Sequence, residues 1–425
     1  MISHKTLHHC ILVLATTLGA ASGSSANVYD RVTVRGAELI PEEDIRKTCG
    51  ELQGIYIDET EMRAVEECLM STAVFERVSI SGEGRALVID VTEIEQRPGR
   101  IDAGISWVND RSLTGTLSYE QFNLIPDSFT AIHGDFSRDV ESFDINFYRP
   151  EAFGPKLHFG IDLTGENADY RDLSFSVRNR QAEADLAWTP RQHLRIEYGL
   201  GYRDHRLYDV NASASRLLLR DRGQQDAPFL RFGLTYRDAE ADRPGWFVRV
   251  EQFLWNIGTA SPVSESRVEL GSTLRASSQT DLMLRLGAGL VAGLSGNDTT
   301  ALDRLFPGGD SFRGFAPRGI GPADQGDMLG GNRYLIASAE LQRDLGKIAG
   351  QHLRGGAFVD IGSVWDLDDD LDGRIDDSSH IRSSIGLTLS MTIGETPVSV
   401  YAATPLSRQP QDKRQNFGLM VSANF

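Results

Sequence analysis

The chain holds 425 residues, with 43 Lys+Arg against 60 Asp+Glu and a formal charge of -17. That balance argues against nucleic acid as a partner, because backbone phosphates are neutralised by Lys and Arg. No run beyond residue 20 reaches the roughly 18 consecutive apolar residues of a membrane helix. A β-barrel, whose residues alternate between lipid and lumen, stays compatible with the mean hydropathy of -0.27.

Residues 1–26 read as a secretory signal. Lys5 precedes an apolar run from Cys10 to Ala20, and Ser24-Ser25-Ala26 offers a small-x-small cleavage site. A buried N-terminal helix is the alternative. An exported chain would keep two cysteines, Cys49 and Cys68. In an oxidising compartment they can pair; two reduced core cysteines are the other reading.

Residues 27–95 read as a small α/β module in the order strand, helix, helix, strand, strand. Val28, Val32 and Val34 share one face of the first strand, which Gly36 ends. Pro41 followed by Glu42, Glu43 and Asp44 suits a helix N-terminus. Ile45, Cys49 and Leu52 form an apolar stripe. Asp58 with Glu61 predicts a capping box for a second helix that buries Met62, Val65 and Leu69. Val78 and Ile80, then Leu87, Ile89 and Val91, alternate as two strands joined by a turn at Ser81-Gly82-Glu83-Gly84.

From residue 99 to 425 the period is two. Leu157, Phe159, Ile161 and Leu163 alternate with His158, Gly160, Asp162 and Thr164, and the same rhythm returns at 230–236, 282–290 and 385–393. Many segments reach the ~9–11 residues that cross a bilayer at a tilt. Short connections, such as Thr189-Pro190-Arg191-Gln192 and Gly394-Glu395-Thr396-Pro397, alternate with long polar ones at 204–226 and 293–330. The chain ends on an alternating strand with Phe425 last. A soluble sandwich also alternates, but these features together predict a transmembrane antiparallel β-barrel. At roughly 20 residues per strand and connection it has about 16 strands.

The longest connection carries Phe306-Pro307-Gly308-Gly309-Asp310-Ser311-Phe312-Arg313-Gly314-Phe315, then Leu329-Gly330-Gly331-Asn332. Downstream stand Ala357-Phe358-Val359-Asp360-Ile361-Gly362 and Val398-Ser399-Val400-Tyr401-Ala402-Ala403-Thr404-Pro405-Leu406. This constellation resembles the sixth outer loop and following strands of the BamA/TamA outer-membrane assembly barrels, the bacterial surface antigen family. The N-terminal module resembles one POTRA domain, the periplasmic module of that family. Relatives usually carry three or five such modules, so the expectation here is a specialised member.

The resemblance implies a protein of the Gram-negative cell outer membrane, with its N-terminal module in the periplasm, that inserts or translocates polypeptides without covalent chemistry. Its partners would be unfolded outer-membrane or secreted protein clients, outer-membrane lipid and periplasmic accessory proteins. It further implies that Arg313, with Gly314 and Phe315, docks the loop on the inner wall near Asp360 and Glu340. The parity of Leu335, Ala337, Ala339 and Leu341 independently turns Ile336, Ser338 and Glu340 inward, and that of Ala357, Val359 and Ile361 turns Asp360 inward. A guanidinium fork between two carboxylates is strong and directional. The seam lies where the first strand, about Arg100–Val108 with Gly104, meets the last, about Arg414–Phe425 with Phe417 and Phe425. Unpaired backbone groups there would template a client strand, and module edges near Val78–Ser81 and Leu87–Val91 would offer the same augmentation.

Asp368, Asp370, Asp372 and Asp376 stand in a D-x-D-x-D-G run like the start of an EF-hand calcium loop, but Ser379 occupies the twelfth position. Calcium is one reading of that run; a solvated acidic loop is the other. No G-x-S-x-G, H-E-x-x-H or paired-cysteine metal motif is present, so no enzyme is expected. Two other functions compete: a two-partner secretion transporter for a dedicated exoprotein, and a solute channel, which an inward-folded loop disfavours.

Overall fold

The computed structural model describes residues 27–421, apart from 38–39, 41, 51, 55, 73, 94–98, 109–111, 170–172, 192, 239–244, 349–350 and 394–395. The signal-like residues 1–26 and Phe425 lie outside the described residues. The chain divides into two compact units at 97/98.

The N-terminal unit packs two helices, α1 (Glu42–Thr48) and α2 (Glu59–Ser71), with a three-stranded sheet. Asp58 caps α2: its carboxylate accepts from the Thr60 and Glu61 amides, and Glu61 reaches back to the Asp58 amide. The core joins Tyr29, Val34, Ile45, Leu69, Leu87 and Ile89. Cys49 and Cys68 are joined as a disulfide across the two helices.

Three expectations change in this unit. Ser81–Glu83, expected in a turn, belong to the strand Phe75–Glu83, and the chain turns at Gly84-Arg85. Val28 is exposed and pairs with Tyr56 in a separate two-residue ladder, so Tyr29 is the side chain that enters the core. Leu87–Val91 is no edge. It belongs to the central strand Ala86–Glu93, flanked by Arg31–Arg35 and Phe75–Glu83. The reason is burial on both faces: Leu87, Val88 and Ile89 are all buried, as a central strand requires.

The second unit is built on an antiparallel sheet of sixteen strands in chain order, from Arg100–Val108 to Phe417–Val421. Side-chain parity gives the sheet two faces. Tyr198, Leu200 and Tyr202 are exposed on the outer face, whereas Glu183, Asp185 and Arg203 are buried within. Inner charges find one another: Arg231 bonds Glu183 and Glu197 from the neighbouring wall. An apolar exterior with a paired polar interior is what a barrel in lipid demands.

Some connections differ from the pattern reading. Thr189, Pro190 and Arg191 belong to the strand Ser176–Arg191, not to a turn. The ladder skips from Trp188 to Arg191, and that irregularity accommodates a proline with no N–H to give. The connection read as 204–226 shrinks to 209–222, because its flanking strands run to Tyr208 and restart at Gly223. Within it a short helix, Arg216–Asp221, buries Leu217 and Leu218 against Ala301, Leu329 and Leu367 of two other long connections. Those long connections thus share a core of their own at one rim.

Candidate functional site

Three neighbouring strands build the site: the twelfth (Arg333–Ile348), thirteenth (Gln351–Trp365) and fourteenth (Arg382–Ile393). Register places Ser338, Asp360 and Ser384 side by side in one row. The next row is Glu340, Phe358 and Gly386. All point inward by parity, since Val359, Ile361, Leu335 and Leu341 are exposed on the other face.

The connection 294–332 folds into the lumen and brings Arg313 onto these rows. Asp360 Oδ2 accepts from the Arg313 amide at 3.1 Å and from Nε at 3.0 Å, and Oδ1 accepts from Nη2 at 2.9 Å. Nη1 donates to Glu340 Oε2 at 2.5 Å, and Nη2 also donates to Ser338 Oγ at 3.0 Å. The Arg313 carbonyl accepts from Ser384 Oγ. The guanidinium carbon lies 3.4 Å from the centroid of the Phe358 ring. Arg313 is 6% exposed and Asp360 1% exposed, so both charges are out of water. Such a buried pair holds only when donors and acceptors are matched throughout, and here each charge has several partners.

Two glycines make the arrangement possible. Gly314 has φ +92, and a Cβ there would meet the Ser384 Cβ at 2.9 Å. Gly356 opens a window through which Thr388 Oγ1 reaches Glu340 Oε1 at 2.6 Å; a Cβ at 356 would sit 2.4 Å from that hydroxyl. Phe312 and Phe315 are fully buried and pack with Ile320, Ile336 and Val364, which fixes the loop on both sides of the arginine. Beside the hook the lumen keeps a cavity of about 610 Å³, lined in part by Arg249, Arg285 and Glu340.

Sequence reasoning placed Arg313, Glu340 and Asp360 and missed much around them. Ser338 was legible only as an inward position; Phe358, Ser384 and Thr388 follow from the same parity once the register is known. It also missed the ends of the loop. Arg203 bonds Asp303 at 2.9 Å and Asn256 while lying over the Trp255 ring. Arg304, held below its ordinary basicity by burial, bonds the Thr299 and Leu329 carbonyls.

The seam residues are placed as follows. Gly104 pairs with Thr116 in the first strand. Phe417 opens the last strand, pairs with Ala402 and is 71% exposed. Among the described residues no ladder joins Arg100–Val108 to Phe417–Val421, although the two strands approach within 8 Å. Arg414–Gln415, expected in the last strand, leaves the barrel sheet and pairs instead with Gly314–Phe315 of the loop.

The acidic run gives the calcium reading no support. Among the described residues no three His, Cys, Asp or Glu side chains converge as metal ligands. Asp368 is spent on the Thr299 amide and hydroxyl, and Asp370 on the Gly373 amide. Asp376 is spent on Ser378 and on His380 at 2.7 Å, and these bonds hold its carboxyl down to about 2. Asp372 does not join them. The run is thus held by turn bonds of its own and by Thr299 of another connection.

Comparison with known proteins gives consistent results. A family model described as the Omp85 superfamily domain matches residues 128–425. The chain is 22% identical over 348 residues to the outer membrane protein assembly factor BamA of Neorickettsia risticii, covering 80% of this chain and 47% of that protein. It is 21% identical over 452 residues to BamA of Neisseria meningitidis serogroup B, covering 93% and 56%. The chain therefore spans about half the length of the curated relatives it matches. Among solved structures, BamA from Haemophilus ducreyi lacking POTRA domains 1–3 superposes with TM-score 0.72 at 18% identity, covering 94% of this chain and 85% of that one. CdiB from Acinetobacter baumannii superposes with TM-score 0.56 at 12% identity, covering 93% and 73%.

Proposed function

This chain belongs to the Omp85 superfamily and is an outer-membrane β-barrel, and on that premise we propose that it inserts or translocates polypeptide clients by strand templating at the seam between its first and last strands. The observation that carries the reading is that the sheet's opposite ends lie near each other with no ladder among the described residues, while the hooked loop pairs with residues just before the last strand. Unpaired N–H and C=O groups facing lipid cost several kcal/mol each. A client strand that pairs with the seam when it opens relieves the cost, so the seam both recruits and releases. Arg313 keeps the loop seated on the wall while the seam works.

In this reading residues 1–26 direct export and 27–95 act as a POTRA-like periplasmic module. Its edge strand Phe75–Glu83 is open for augmentation by a client or an accessory protein. The test is reconstitution of the purified chain in outer-membrane lipid vesicles with an unfolded barrel client. Folded, protease-protected client should accumulate several-fold faster than in empty vesicles; equal rates would reject the proposal.

The alternative of a dedicated exoprotein transporter uses the same fold. The matches to assembly factors over most of this chain favour assembly. A solute channel is disfavoured by the loop that fills the lumen around Arg313.

A further inference from the structure

Two buried residues that the hook does not use link it to the seam. Arg382 opens the fourteenth strand, two residues before Ser384, which holds the Arg313 carbonyl. Its guanidinium grips Asp412 as a fork, Nε to Oδ2 at 2.8 Å and Nη2 to Oδ1 at 3.0 Å. The pair is almost wholly out of water, with side chains 1% and 0% exposed. Each partner has a further bond: Nη1 donates to the His380 carbonyl, and Asp412 Oδ2 accepts from the Gln409 amide.

Asp412 stands in the connection 408–416, which leads directly into the last strand. That connection is stitched to the hooked loop. The Lys413 amide donates to the Gly319 carbonyl, and the Lys413 carbonyl accepts from the Ala316 amide. Arg414–Gln415 then forms a two-residue ladder with Gly314–Phe315, immediately after the hook. Gln415 Nε2 donates to Tyr401 Oη, and Tyr401 stands edge-on to the Phe358 ring that underlies Arg313. The next residue, Asn416, accepts from the Ala403 amide, and Phe417 starts the seam strand.

We propose that Arg382 and Asp412 are positioning residues that make the hooked loop and the outer end of the last strand one cooperative unit, so that releasing either frees the other. The physical reason is local. The strand Phe417–Val421 is laddered to Val398–Ala402 over five residue pairs, and so short a ladder has little stability of its own. Its outer end is held by the connection 408–416, and that connection is held by one desolvated ion pair, by the loop's backbone and by bonds from Gln415 and Asn416 to the fifteenth strand. Removing one charge strands the other where water cannot reach it, and the tether opens. The proposal gives the seam reading above a controlling element, and its functional meaning rests on that reading. The coupling itself can be measured without any client.

The experiment is hydrogen exchange of the full chain in detergent micelles, read on peptides covering 312–319, 408–416 and 417–421. In the unaltered protein, a series of sub-denaturing guanidinium concentrations should open all three peptides with one common slope and midpoint. In Arg382→Gln/Asp412→Asn, which keeps neutral hydrogen-bonding groups, exchange in 417–421 should rise at least tenfold, together with 312–319. Arg313→Ala should do the same, and combining it with the pair variant should add less than the product of the two. Arg382→Lys, which keeps the charge but loses the fork, should fall between. A strand that opens independently of the loop in the unaltered protein would overturn the proposal, and this arm needs no variant to fold. Unchanged exchange of 417–421 in a folded, heat-modifiable pair variant would overturn it too. Client insertion is scored separately: coupled exchange with no insertion activity would leave this inference standing and reject the function proposed above.

Discussion

Asp360 takes three hydrogen bonds from Arg313, two from the guanidinium and one from the backbone amide, whereas Glu340 takes one. The two carboxylates flanking the hook are therefore unequal. Glu340 also has Thr388 and Gln342 as partners, so it stays hydrogen-bonded when the arginine leaves. Asp360→Asn should loosen the loop by roughly 3–5 kcal/mol, as expected for breaking a buried pair. Glu340→Gln should cost about 2 kcal/mol, the scale of one charged hydrogen bond. Protease cleavage within 306–319 at increasing denaturant reads both values; equal sensitivity would refute the ranking.

Gly314 is constrained twice, by a left-handed backbone and by the Ser384 side chain. Gly314→Ala should cost about 1–3 kcal/mol in backbone strain alone, with the displaced Ser384 adding to it. The same cleavage assay should show a faster-cut loop, while the barrel keeps its heat-modifiable migration. An unchanged cleavage rate would contradict the geometry.

The Cys49–Cys68 bond closes a loop across a separation of 19 residues. A loop of that length stabilises by about 3 kcal/mol through the unfolded chain. Cys49→Ser/Cys68→Ser should lower the melting temperature of the N-terminal unit by roughly 10 °C or more in the full chain. Scanning calorimetry separates that transition from the barrel's. A shift under about 2 °C would show that the bond does not restrain this unit.

Asp376 titrates well below its ordinary value because Ser378 and His380 bond its ionised form. A depressed folded value means the stabilisation is fully present above the ordinary value of 3.8 and fades as pH falls toward about 2. Carboxyl-carbon NMR of Asp-labelled protein should find this group still ionised at pH 3. His380→Ala should move its midpoint upward. Titration near 4 in the unaltered protein would contradict the arrangement.

The barrel was legible because a two-residue period is the direct imprint of a sheet with lipid on one face. The hook was legible because Arg313 and Asp360 stand in motifs whose parity sends both inward. What stayed hidden depends on long-range placement. Arg382 and Asp412 sit in unremarkable polar segments, and only the folded loops reveal that they meet out of water. Arg414–Gln415 continues the alternation of the last strand, yet the loop offers its backbone a partner that alternation cannot encode. Pro190 reads as a turn, but a ladder irregularity lets it stay in a strand. The acidic run resembles a calcium loop by composition, and only the fold shows that Thr299, from another connection, bonds Asp368.

The account turns on whether clients leave through the seam. Cysteines at Gly104 and Phe417, joined by a reducible bifunctional thiol reagent, would tie the first strand to the last without touching the hook. In lipid vesicles, insertion of an unfolded client should stop when the tie is made and return when it is reduced. Undiminished insertion by the fully tied protein would contradict the account.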